Sequence, residues 1–529
     1  MAAKGLPCVI AAAIFGVLAT IIRGDETGFA LHWGRDMSEQ YILSIDQGTT
    51  SSRALAFDKS GQVKAVAQKE FRQIFPGDGW VEHDAGEIWD TTLACCKSVM
   101  NELGAENFAA IAITNQRETA VIWERATGKP IANAIVWQDR RTAAFCDGLK
   151  EAGHEPDITA KTGLLLDPYF SASKVGWLLG NVEGARAKAE AGELAFGTID
   201  SWLVWQLSAG KAHVTDASNA ARTSLYNIHD NQWDADLLAL FGVPSNLMPE
   251  VKDNAADFGT ATVLADLPIL GMAGDQQAAT IGQACFQSGM IKSTYGTGCF
   301  VLANTGNKAV TSQNRLLTTI GYRLNGETSY ALEGSIFMAG AIVQWLRDGL
   351  QLIDHAAETQ ALAEAANPDS AVTMVPAFTG LGAPHWAADA RAAIFNMTRD
   401  SSKADIARAA LESVSLQTAD LMRAIADDMA EAGVDVPPRL RVDGGMVAND
   451  WLCQNLADIC ACPIDRPRIT ETTALGAAML AMLQLGWFDT LDALGENWAV
   501  EAQFAPTMAA EKRTEKQNLW QAALAQVLG

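Results

Sequence analysis

The sequence lacks several signatures that would assign a function quickly. It contains no GxxxxGK[ST] motif, which excludes the common P-loop nucleotide site. It contains no CxxC pair, and its nine cysteines are scattered, so reduced thiols without a structural zinc are the simplest interpretation. It also has no long run of Lys and Arg, and its formal net charge is −23, which argues against a nucleic-acid partner.

The composition is that of a large soluble α/β protein. A chain of 529 residues is too long for one hydrophobic core and predicts two or three domains. Hydrophobic residues make up 49% and charged residues 19%, which is typical of globular and not of disordered proteins. We place the main boundary near Phe286, with one domain at 40–286 and a second at 287–529.

Residues 1–39 form an N-terminal extension of a different character. The apolar run at 8–22 is flanked by Lys4 and Arg23 and is similar to a signal-peptide core or a short anchor. Its fifteen residues are fewer than the roughly 20 that cross a bilayer comfortably. Met37 lies four residues before the first predicted strand, and the rest of the chain is typical of a cytoplasmic protein. We therefore expect translation to start at Met37, and we expect a cytoplasmic protein without stable membrane association.

Two segments about half a chain apart predict β-hairpins. Strands are expected at 41–45 and 53–57, with a turn at 46–51, and a second hairpin is expected at 291–303. Both turns are rich in Gly and Thr. The repetition predicts two related halves, each opening with a hairpin.

The remaining pattern alternates between helices and strands. Helical spacing at 88–103 precedes a buried strand at 108–114. The longest helical stretch is 402–432, with Ser402 as N-cap and Asp405 completing an acidic capping box. An Ala- and Gly-rich closing helix at 470–485 should pack closely. The fold class is therefore α/β, with mixed sheets covered by helices.

The first hairpin turn reads DQGTTSSR at residues 46–53 and has the chemistry of a phosphate site. The hydroxyls of Thr49, Thr50 and Ser51 can donate to an anion, and Arg53 adds a cationic fork. Asp46 would repel a bare phosphate, but it fits if Mg²⁺ lies between them. An ordinary polar hairpin turn is an equally good interpretation of this segment alone.

Two further glycine turns could complete a polyphosphate site. Residues 294–299 read TYGTGC, and a strand at 440–442 is followed by Asp443-Gly444-Gly445, Asn449 and a helical run. Each turn is a weak signal by itself. Their order along the chain is more informative than any one of them.

Two polar clusters follow apolar strands and suit an alcohol substrate. Arg117 and Glu118 can bind hydroxyls as donor and acceptor, although a surface salt bridge is the commoner role for such a pair. Asp275 lies at a strand end among amides and suits a general base. The alternative for Asp275 is the N-cap of a helix running to Ala284, and both roles can hold together.

Nine motifs together resemble one family. In chain order they are DQGTTSSR, NQRET, VWQDRR, DPYFSASKVGWLL, AGDQQAA, STYGTGCF, LEGSIFMAGAIVQWLRD, PAFTGLGAPHW and RVDGGMVAND. The order and wording resemble the glycerol kinases, within the FGGY family of carbohydrate kinases, from about residue 40 to the end. The resemblance implies two ribonuclease-H-like domains of the actin, Hsp70 and hexokinase type facing a central cleft.

The resemblance also implies an activity and roles for individual residues. The implied reaction is ATP-dependent phosphorylation of glycerol to sn-glycerol 3-phosphate, in glycerol uptake and catabolism, with ATP and Mg²⁺ as cofactors. Asp46 would orient Mg²⁺, and Asp275 would be the catalytic base. The implied glycerol contacts are Arg117, Glu118, Trp137, Tyr169, Asp275 and Gln276. The implied phosphate and nucleotide contacts are Thr49, Thr50, Ser51, Arg53, Thr297, Gly340, Gln344, Gly445 and Asn449.

Two other functions remain open at this stage. A related kinase of the same family could act on xylulose, ribulose or gluconate instead. A non-catalytic actin-like nucleotide switch would keep the phosphate turns but would have no reason to keep a polyol pocket. The family also implies a homo-oligomer, as a dimer or tetramer.

One departure from the resemblance predicts how the protein is controlled. Some bacterial members carry a Gly-Gly-x-Arg loop for feedback by a sugar bisphosphate, or a phosphorylatable histidine, shortly before the catalytic aspartate. The stretch at 263–268 reads VLADLP and contains none of these residues. We therefore expect neither control to operate, and inhibition by fructose 1,6-bisphosphate in a kinase assay would contradict this.

Overall fold

The computed structural model describes residues 40–437 and 439–529. The apolar run at 8–22 and the expected start at Met37 lie outside the described residues. Within the described part of the chain, no helix is long and apolar enough to span a bilayer. Two large sheets dominate this part, and each is covered by helices.

The first sheet contains six strands. They are β1 (Tyr41–Gln47), β2 (Ser51–Phe57), β3 (Val63–Glu70), β4 (Phe108–Asn115), β5 (Thr260–Ala261) and β6 (Leu267–Gly274). Their order is β5-β6-β4-β1-β2-β3. β1, β2 and β3 form an antiparallel meander, whereas β4 runs parallel to β1 and β6 runs parallel to β4.

The second sheet contains seven strands in a similar but not identical order. Its strands are β7 (Ile291–Tyr295), β8 (Cys299–Gly306), β9 (Leu317–Leu324), β10 (Glu327–Ile336), β11 (Leu440–Asp443), β12 (Ile464–Pro467) and β13 (Val500–Phe504), in the order β9-β10-β8-β7-β11-β12-β13. β7, β8 and β10 are antiparallel in series, and β11 and β12 continue parallel to β7. Both sheets therefore contain an opening hairpin with parallel strands on one side of its first strand, which agrees with the two related halves predicted. They differ beyond the hairpin, where β3 follows β2 directly but β10 lies next to β8 and β9 is an added outer strand.

Short strand pairs complete the β-structure. They are Glu82–His83 with Ala134–Ile135, Val121–Glu124 with Leu194–Gly197, Val214–Asp216 with Glu250–Lys252, Tyr226–Asn227 with Gln232–Trp233, and Thr373–Val375 with Ala393–Phe395.

The first hairpin turn is tighter than predicted. Asp46 and Gln47 belong to β1 and not to the turn, because the ladder continues through the pairs Asp46 with Arg53 and Gln47 with Ser52. The turn is therefore only residues 48–50. Asp46 and Arg53 consequently face each other on neighbouring strands.

The helices agree with the predicted pattern at most positions. They are Ala85–Leu103, Ala143–Glu151, Glu155–Thr162, Ser171–Asn181, Ala185–Glu190, Ile199–Leu207, Ala217–Ala220, Ala235–Leu240, Asp275–Gly282, Gly340–Gln344, Glu358–Ala365, Lys403–Glu431, Asp450–Cys460, Thr472–Gln484, Leu491–Gly495 and Ala510–Leu528. The predicted capping box of Ser402 and Asp405 is present. The helix predicted at 88–103 begins three residues earlier, because Asp84 caps it through the amides of Gly86 and Glu87.

The Ala- and Gly-rich helix Thr472–Gln484 crosses Asp275–Gly282 at very close range. A Cβ on Gly476 would lie 1.8 Å from the Ala278 carbonyl oxygen, and one on Gly282 would lie 1.9 Å from that of Thr472. Only glycine permits this crossing. The helix also packs on β1, β4 and β6, although its sequence lies in the second predicted domain. The boundary near Phe286 remains a prediction.

The prediction that this helix closes the chain is wrong. The helix Ala510–Leu528 follows it and buries Trp520, Ala523 and Leu524 against the long helix Lys403–Glu431 and its neighbours. A buried ion pair of Lys516 with Glu412 fixes this contact.

Candidate active site

The candidate site lies where parallel strands of the first sheet end. Gln47 is in register with Asn115, and Asn115 is in register with Gly274, so β1, β4 and β6 end side by side. The phosphate turn at 48–50, the pair Arg117-Glu118, and Asp275 therefore meet at one edge. Ligand sites in α/β folds are commonly found outside such carboxyl ends.

Arg117 and Glu118 are buried, so the alternative of a surface salt bridge is wrong. Their side chains are only 2% and 1% exposed. Arg117 donates from Nη1 and Nη2 to the two carboxylate oxygens of Glu333, at 2.6 and 2.9 Å, and its Nε lies 3.1 Å from Asp275 Oδ1. Arg222 joins the cluster by donating to Glu118 at 2.7 Å and to Glu333 at 2.9 Å.

Burial and the two guanidinium groups set the charges in this cluster. Burial alone would raise the pKa of Glu333, but Arg117 and Arg222 outweigh it and lower that pKa to about 2. For Glu118 the balance is reversed, and burial raises the pKa of its carboxyl in spite of the same two arginines. Glu333 therefore stays ionised to a lower pH than Glu118 does.

Aromatic rings form a wall next to Arg117. The ring of Trp137 lies 5.5 Å from that of Tyr169 and 6.4 Å from that of Phe300, nearly perpendicular to the first of them. The guanidinium carbon of Arg117 lies 5.9 Å from the Phe300 ring centre. Tyr169 is neutral, since burial raises the pKa of its hydroxyl far above the usual value. Phe300 comes from β8, so both sheets contribute to the site.

Asp275 is the first residue of a helix and not its N-cap. Gly274 occupies the cap position, and the Asp275 carboxylate accepts from the next amide, that of Gln276, at 2.7 Å. The helix ends at Gly282, before the predicted Ala284. One third of the Asp275 side chain is exposed, so the carboxylate faces open space next to Arg117.

Gln276 is tied to the second sheet. Its side-chain oxygen accepts from Lys292 Nζ at 2.6 Å, and Lys292 itself is fully buried on β7. Burial lowers the pKa of Lys292. This contact holds the Asp275 helix against the second hairpin.

A cavity of about 660 Å³ opens between the strand ends of the two sheets. Its lining includes Asp46, Arg53, Thr294, Asp443, Gly445 and Glu471. Arg53 donates to Glu471 at 2.5 Å and lies 3.4 Å from Asp46. Burial raises the pKa of Asp46 to about 6, against the opposing effect of Arg53.

Asp46 fits the role of a magnesium ligand. Mg²⁺ is usually bound through one or two carboxylates together with substrate phosphates. Asp46 offers a carboxylate in a cavity that also contains the Arg53 guanidinium, and burial outweighs Arg53 in keeping the pKa of that carboxyl above its usual value.

Replacing Asp46 with Asn should raise the Tm of the ligand-free protein and lower its kinase activity. The folded pKa of about 6 exceeds the unfolded value near 3.8, so ionisation of Asp46 lowers folding stability as pH rises from about 4 to 6. The amide removes this cost and also removes the carboxylate that is predicted to orient Mg²⁺. Thermal unfolding at pH 5 and pH 8, together with an ATP-dependent assay, would measure both effects.

The matched control is Asp58→Asn, which should lower the Tm. Asp58 accepts hydrogen bonds from the Ser60 and Gln62 amides and pairs with Lys64, and these partners hold its pKa below the usual value in spite of partial burial. A lower Tm for both variants would contradict the inference that burial of the ionised Asp46 carboxylate lowers folding stability.

The predicted residues of the first phosphate turn differ in exposure and in their hydrogen bonds. Thr50 is exposed, whereas the Ser51 hydroxyl is buried and accepts from Gln68 at 3.0 Å. Thr49 lies between them in exposure, and its hydroxyl accepts from the indole N–H of Trp137 at 3.0 Å. Thr49 and Thr50 are therefore the better placed hydroxyls for a ligand.

The predicted nucleotide residues gather at the second hairpin turn. The Thr297 carbonyl accepts from two amides beside Gly340, and the Gly340 amide donates to Gly296. A Cβ on Gly340 would lie 2.6 Å from the Gly296 oxygen, so a side chain would not fit there. Gln344 ends the short helix that Gly340 begins.

Gly445 and Asn449 lie at the next strand-to-helix junction. Gly445 begins a short 3₁₀ helix and lines the cavity, and Asn449 caps the helix Asp450–Cys460 through the Leu452 amide. The Asn449 amide also donates to Thr359 at 3.2 Å. Of the predicted phosphate and nucleotide contacts, those that line the cavity are Arg53 and Gly445, next to the metal candidate Asp46.

Three charged residues of the site were missed from the sequence. Lys292 is the one charge of β7, Glu333 is the one charge in the buried part of β10, and Arg222 is a single charge in a stretch of small residues. An isolated charge in a buried strand was the available signal, because such a group needs a partner.

Comparison with known proteins establishes the family. The N-terminal domain model of the FGGY family of carbohydrate kinases matches residues 41–282, and the C-terminal domain model matches residues 291–485. The chain belongs to the FGGY family of carbohydrate kinases. The predicted family and the predicted two-domain α/β fold are therefore confirmed.

Individual members of the FGGY family are similar over almost the whole chain. The glycerol kinase of Alcanivorax borkumensis is 58% identical over 92% of this chain and 98% of its own length. The crystal structure of Plasmodium falciparum glycerol kinase with ADP has a TM-score of 0.85 and 37% identity, covering 93% of this chain and 99% of that one. A xylulose kinase from Lactobacillus acidophilus shares the fold, with a TM-score of 0.81 at 22% identity.

Proposed function

We propose that this protein transfers the γ-phosphoryl group of ATP to a terminal hydroxyl of glycerol, giving sn-glycerol 3-phosphate in glycerol uptake and catabolism. The observation that carries the proposal is the carboxylate of Asp275, one third exposed and 3.1 Å from Arg117, beside an aromatic wall. The names and high identities of the relatives support the same activity.

The side chains next to Asp275 suit a small triol. Glycerol has a polar edge of three hydroxyls and an apolar edge of carbon-bound hydrogens. Arg117 and Glu118 offer a donor and an acceptor to the hydroxyls, and Trp137, Tyr169 and Phe300 offer rings to the carbon edge. A site built from such polar partners should reject an analogue that lacks a hydroxyl.

Asp275 is proposed to act as general base. The attacking hydroxyl gives its proton to the Asp275 carboxylate as its oxygen bonds to the γ-phosphorus, and the bond from that phosphorus to the β,γ-bridging oxygen breaks. Arg117 holds the carboxylate from one side, and the amide of Gln276 holds it from the other. The carboxylate is therefore oriented before the substrate arrives.

ATP and Mg²⁺ are the proposed cofactors. Mg²⁺ neutralises charge on the β- and γ-phosphates when bound, and Asp46 would orient it. The turn hydroxyls of Thr49 and Thr50 would donate to phosphate oxygens. Arg53 Nε is buried and has no hydrogen-bond partner among the described residues, so it is a further donor at the cavity.

The proposal extends to partners and location. We propose a cytoplasmic homo-oligomer, a dimer or tetramer, that takes glycerol and ATP and binds no nucleic acid. A kinase for xylulose, ribulose or gluconate is the second candidate, since the xylulose kinase above has the same fold.

Release of ADP from Mg-ATP by the purified full-length protein tests the proposal. Glycerol, dihydroxyacetone, xylulose, ribulose, gluconate and no acceptor are compared at equal concentration. Turnover that strongly favours glycerol is expected. Turnover on a five-carbon sugar would change the substrate but keep the family, whereas ADP release that ignores the acceptor would indicate an ATPase or switch.

A further inference from the structure

One hydrogen bond joins two residues that are proposed to bind different substrates. The indole N–H of Trp137 donates to the hydroxyl oxygen of Thr49 at 3.0 Å. In the proposed function, which this inference rests on, Trp137 is a wall of the glycerol pocket and Thr49 belongs to the phosphate turn. The bond therefore connects the acceptor side of the reaction to the donor side.

The backbone of this turn is held separately. The side-chain amide of Gln116 donates to the Gly48 carbonyl at 3.2 Å, and that of Gln73 donates to the Thr49 carbonyl at 3.1 Å. His83 fixes Gln73 by a contact of 2.8 Å. These residues position the main chain, whereas Trp137 is the partner that the structure gives to the Thr49 hydroxyl.

The direction of the bond matters for chemistry. A hydroxyl has one proton to donate and two lone pairs to accept with. Because Thr49 accepts from Trp137, its own proton remains available for a phosphate oxygen. The indole also restricts the rotation of the Thr49 hydroxyl group, and so reduces the entropy that would be lost on binding phosphate.

We propose that Trp137 is a positioning residue that couples the two substrate sites. Glycerol packed against the ring holds the indole, the indole N–H holds the Thr49 hydroxyl, and ATP then binds more tightly. Coupling between binding sites is reciprocal, so ATP should raise the affinity for glycerol by the same factor.

If this N–H had a purely structural role, the change Trp137→Phe would leave the effect of glycerol on the affinity for ATP unchanged. Indole N–H groups usually find some partner when buried. Trp233 shows such a bond, from its indole to the Pro249 carbonyl at 2.8 Å, outside the candidate site. Trp233→Phe is therefore a matched control for the chemical change made in Trp137→Phe.

The experiment measures the affinity of adenylyl imidodiphosphate with Mg²⁺, by calorimetry, with and without saturating glycerol. In the wild type, glycerol should raise this affinity. In Trp137→Phe the enhancement should fall by about fivefold, the value of one neutral hydrogen bond of about 1 kcal/mol. Thr49→Val should reduce it similarly, Thr49→Ser should restore it, and Trp233→Phe should leave it unchanged.

The double variant separates coupling from independent damage. Trp137→Phe with Thr49→Val should reduce the enhancement no further than the single changes do. Three results would each overturn the coupling. The first is a double variant in which the two single reductions of the enhancement multiply. The others are an unchanged enhancement in Trp137→Phe and no enhancement in the wild type. A wild type that fails to phosphorylate glycerol would instead overturn the proposed function, so the two failures are distinguishable.

Discussion

Replacing Asp275 with Asn should lower kcat by about 10²-fold or more, which is the usual loss for a general base. The amide has nearly the same shape and can still accept from the Gln276 amide, which the carboxylate does at 2.7 Å. It cannot take a proton from the attacking hydroxyl. Glycerol binding should therefore survive while turnover is lost, and steady-state rates combined with calorimetric glycerol binding would measure the two separately.

Asp266→Asn is the matched control for this prediction. Asp266 is exposed in the same half of the chain and has φ of 53°, a left-handed conformation that Asn also tolerates. It should keep the kcat of the wild type. If Asp275→Asn also turned over at nearly the wild-type rate, Asp275 would not be the base, and its contact with Arg117 would have to be read as structural.

The hairpins could be predicted from the sequence because their signals are local. Apolar alternation on both sides of a Gly- and Thr-rich turn is enough to place β1 and β2, and the same pattern recurs at β7 and β8. The register was less predictable. Nothing in the turn sequence required the ladder to continue to Gln47 and Ser52, which moved Asp46 from the turn into a strand.

The partners of Arg117 could not be predicted from local patterns. Glu333 follows it by 216 positions and lies on the other sheet. Docking of the two sheets covers the end of β4, so a pair that would be exposed in an isolated turn becomes fully buried. The surface salt bridge, which is the commoner role of such a pair, was therefore the wrong alternative. Phe300 was missed for the same reason.

The N-cap interpretation of Asp275 failed at a single position. Asp is a common N-cap residue, and a helix does begin here. Gly274 takes the cap position instead, and a Cβ at Gly274 would lie 2.8 Å from the side chain of Arg117. The small residue is therefore required by the buried arginine, and Asp275 moves into the first turn with its carboxylate directed at the site.

Replacing Arg117 with Met should give the largest loss of stability, about 3–5 kcal/mol of the free energy of unfolding, as when one partner of a buried ion pair is removed. The cluster holds two guanidinium groups and three carboxylates. Without Arg117, Glu118 and Glu333 keep their ion pairs with Arg222, whereas Asp275 loses its contact of 3.1 Å. Urea denaturation at pH 8 would measure the loss, with Arg347→Met as control, because the Arg347–Asp348 pair is exposed and should contribute little to stability.

Glu333→Gln should cost less than Arg117→Met, because it leaves two positive charges facing two negative ones. Its effect should also depend on pH. The folded pKa of Glu333 is about 2 and its usual value is 4.5, so its charge stabilises the fold above about pH 4.5, and this contribution is lost as pH falls towards 2. The difference in stability between wild type and Glu333→Gln should therefore shrink on acidification. A difference that stays constant from pH 7 to pH 3 would mean that the contact acts through shape and not through charge.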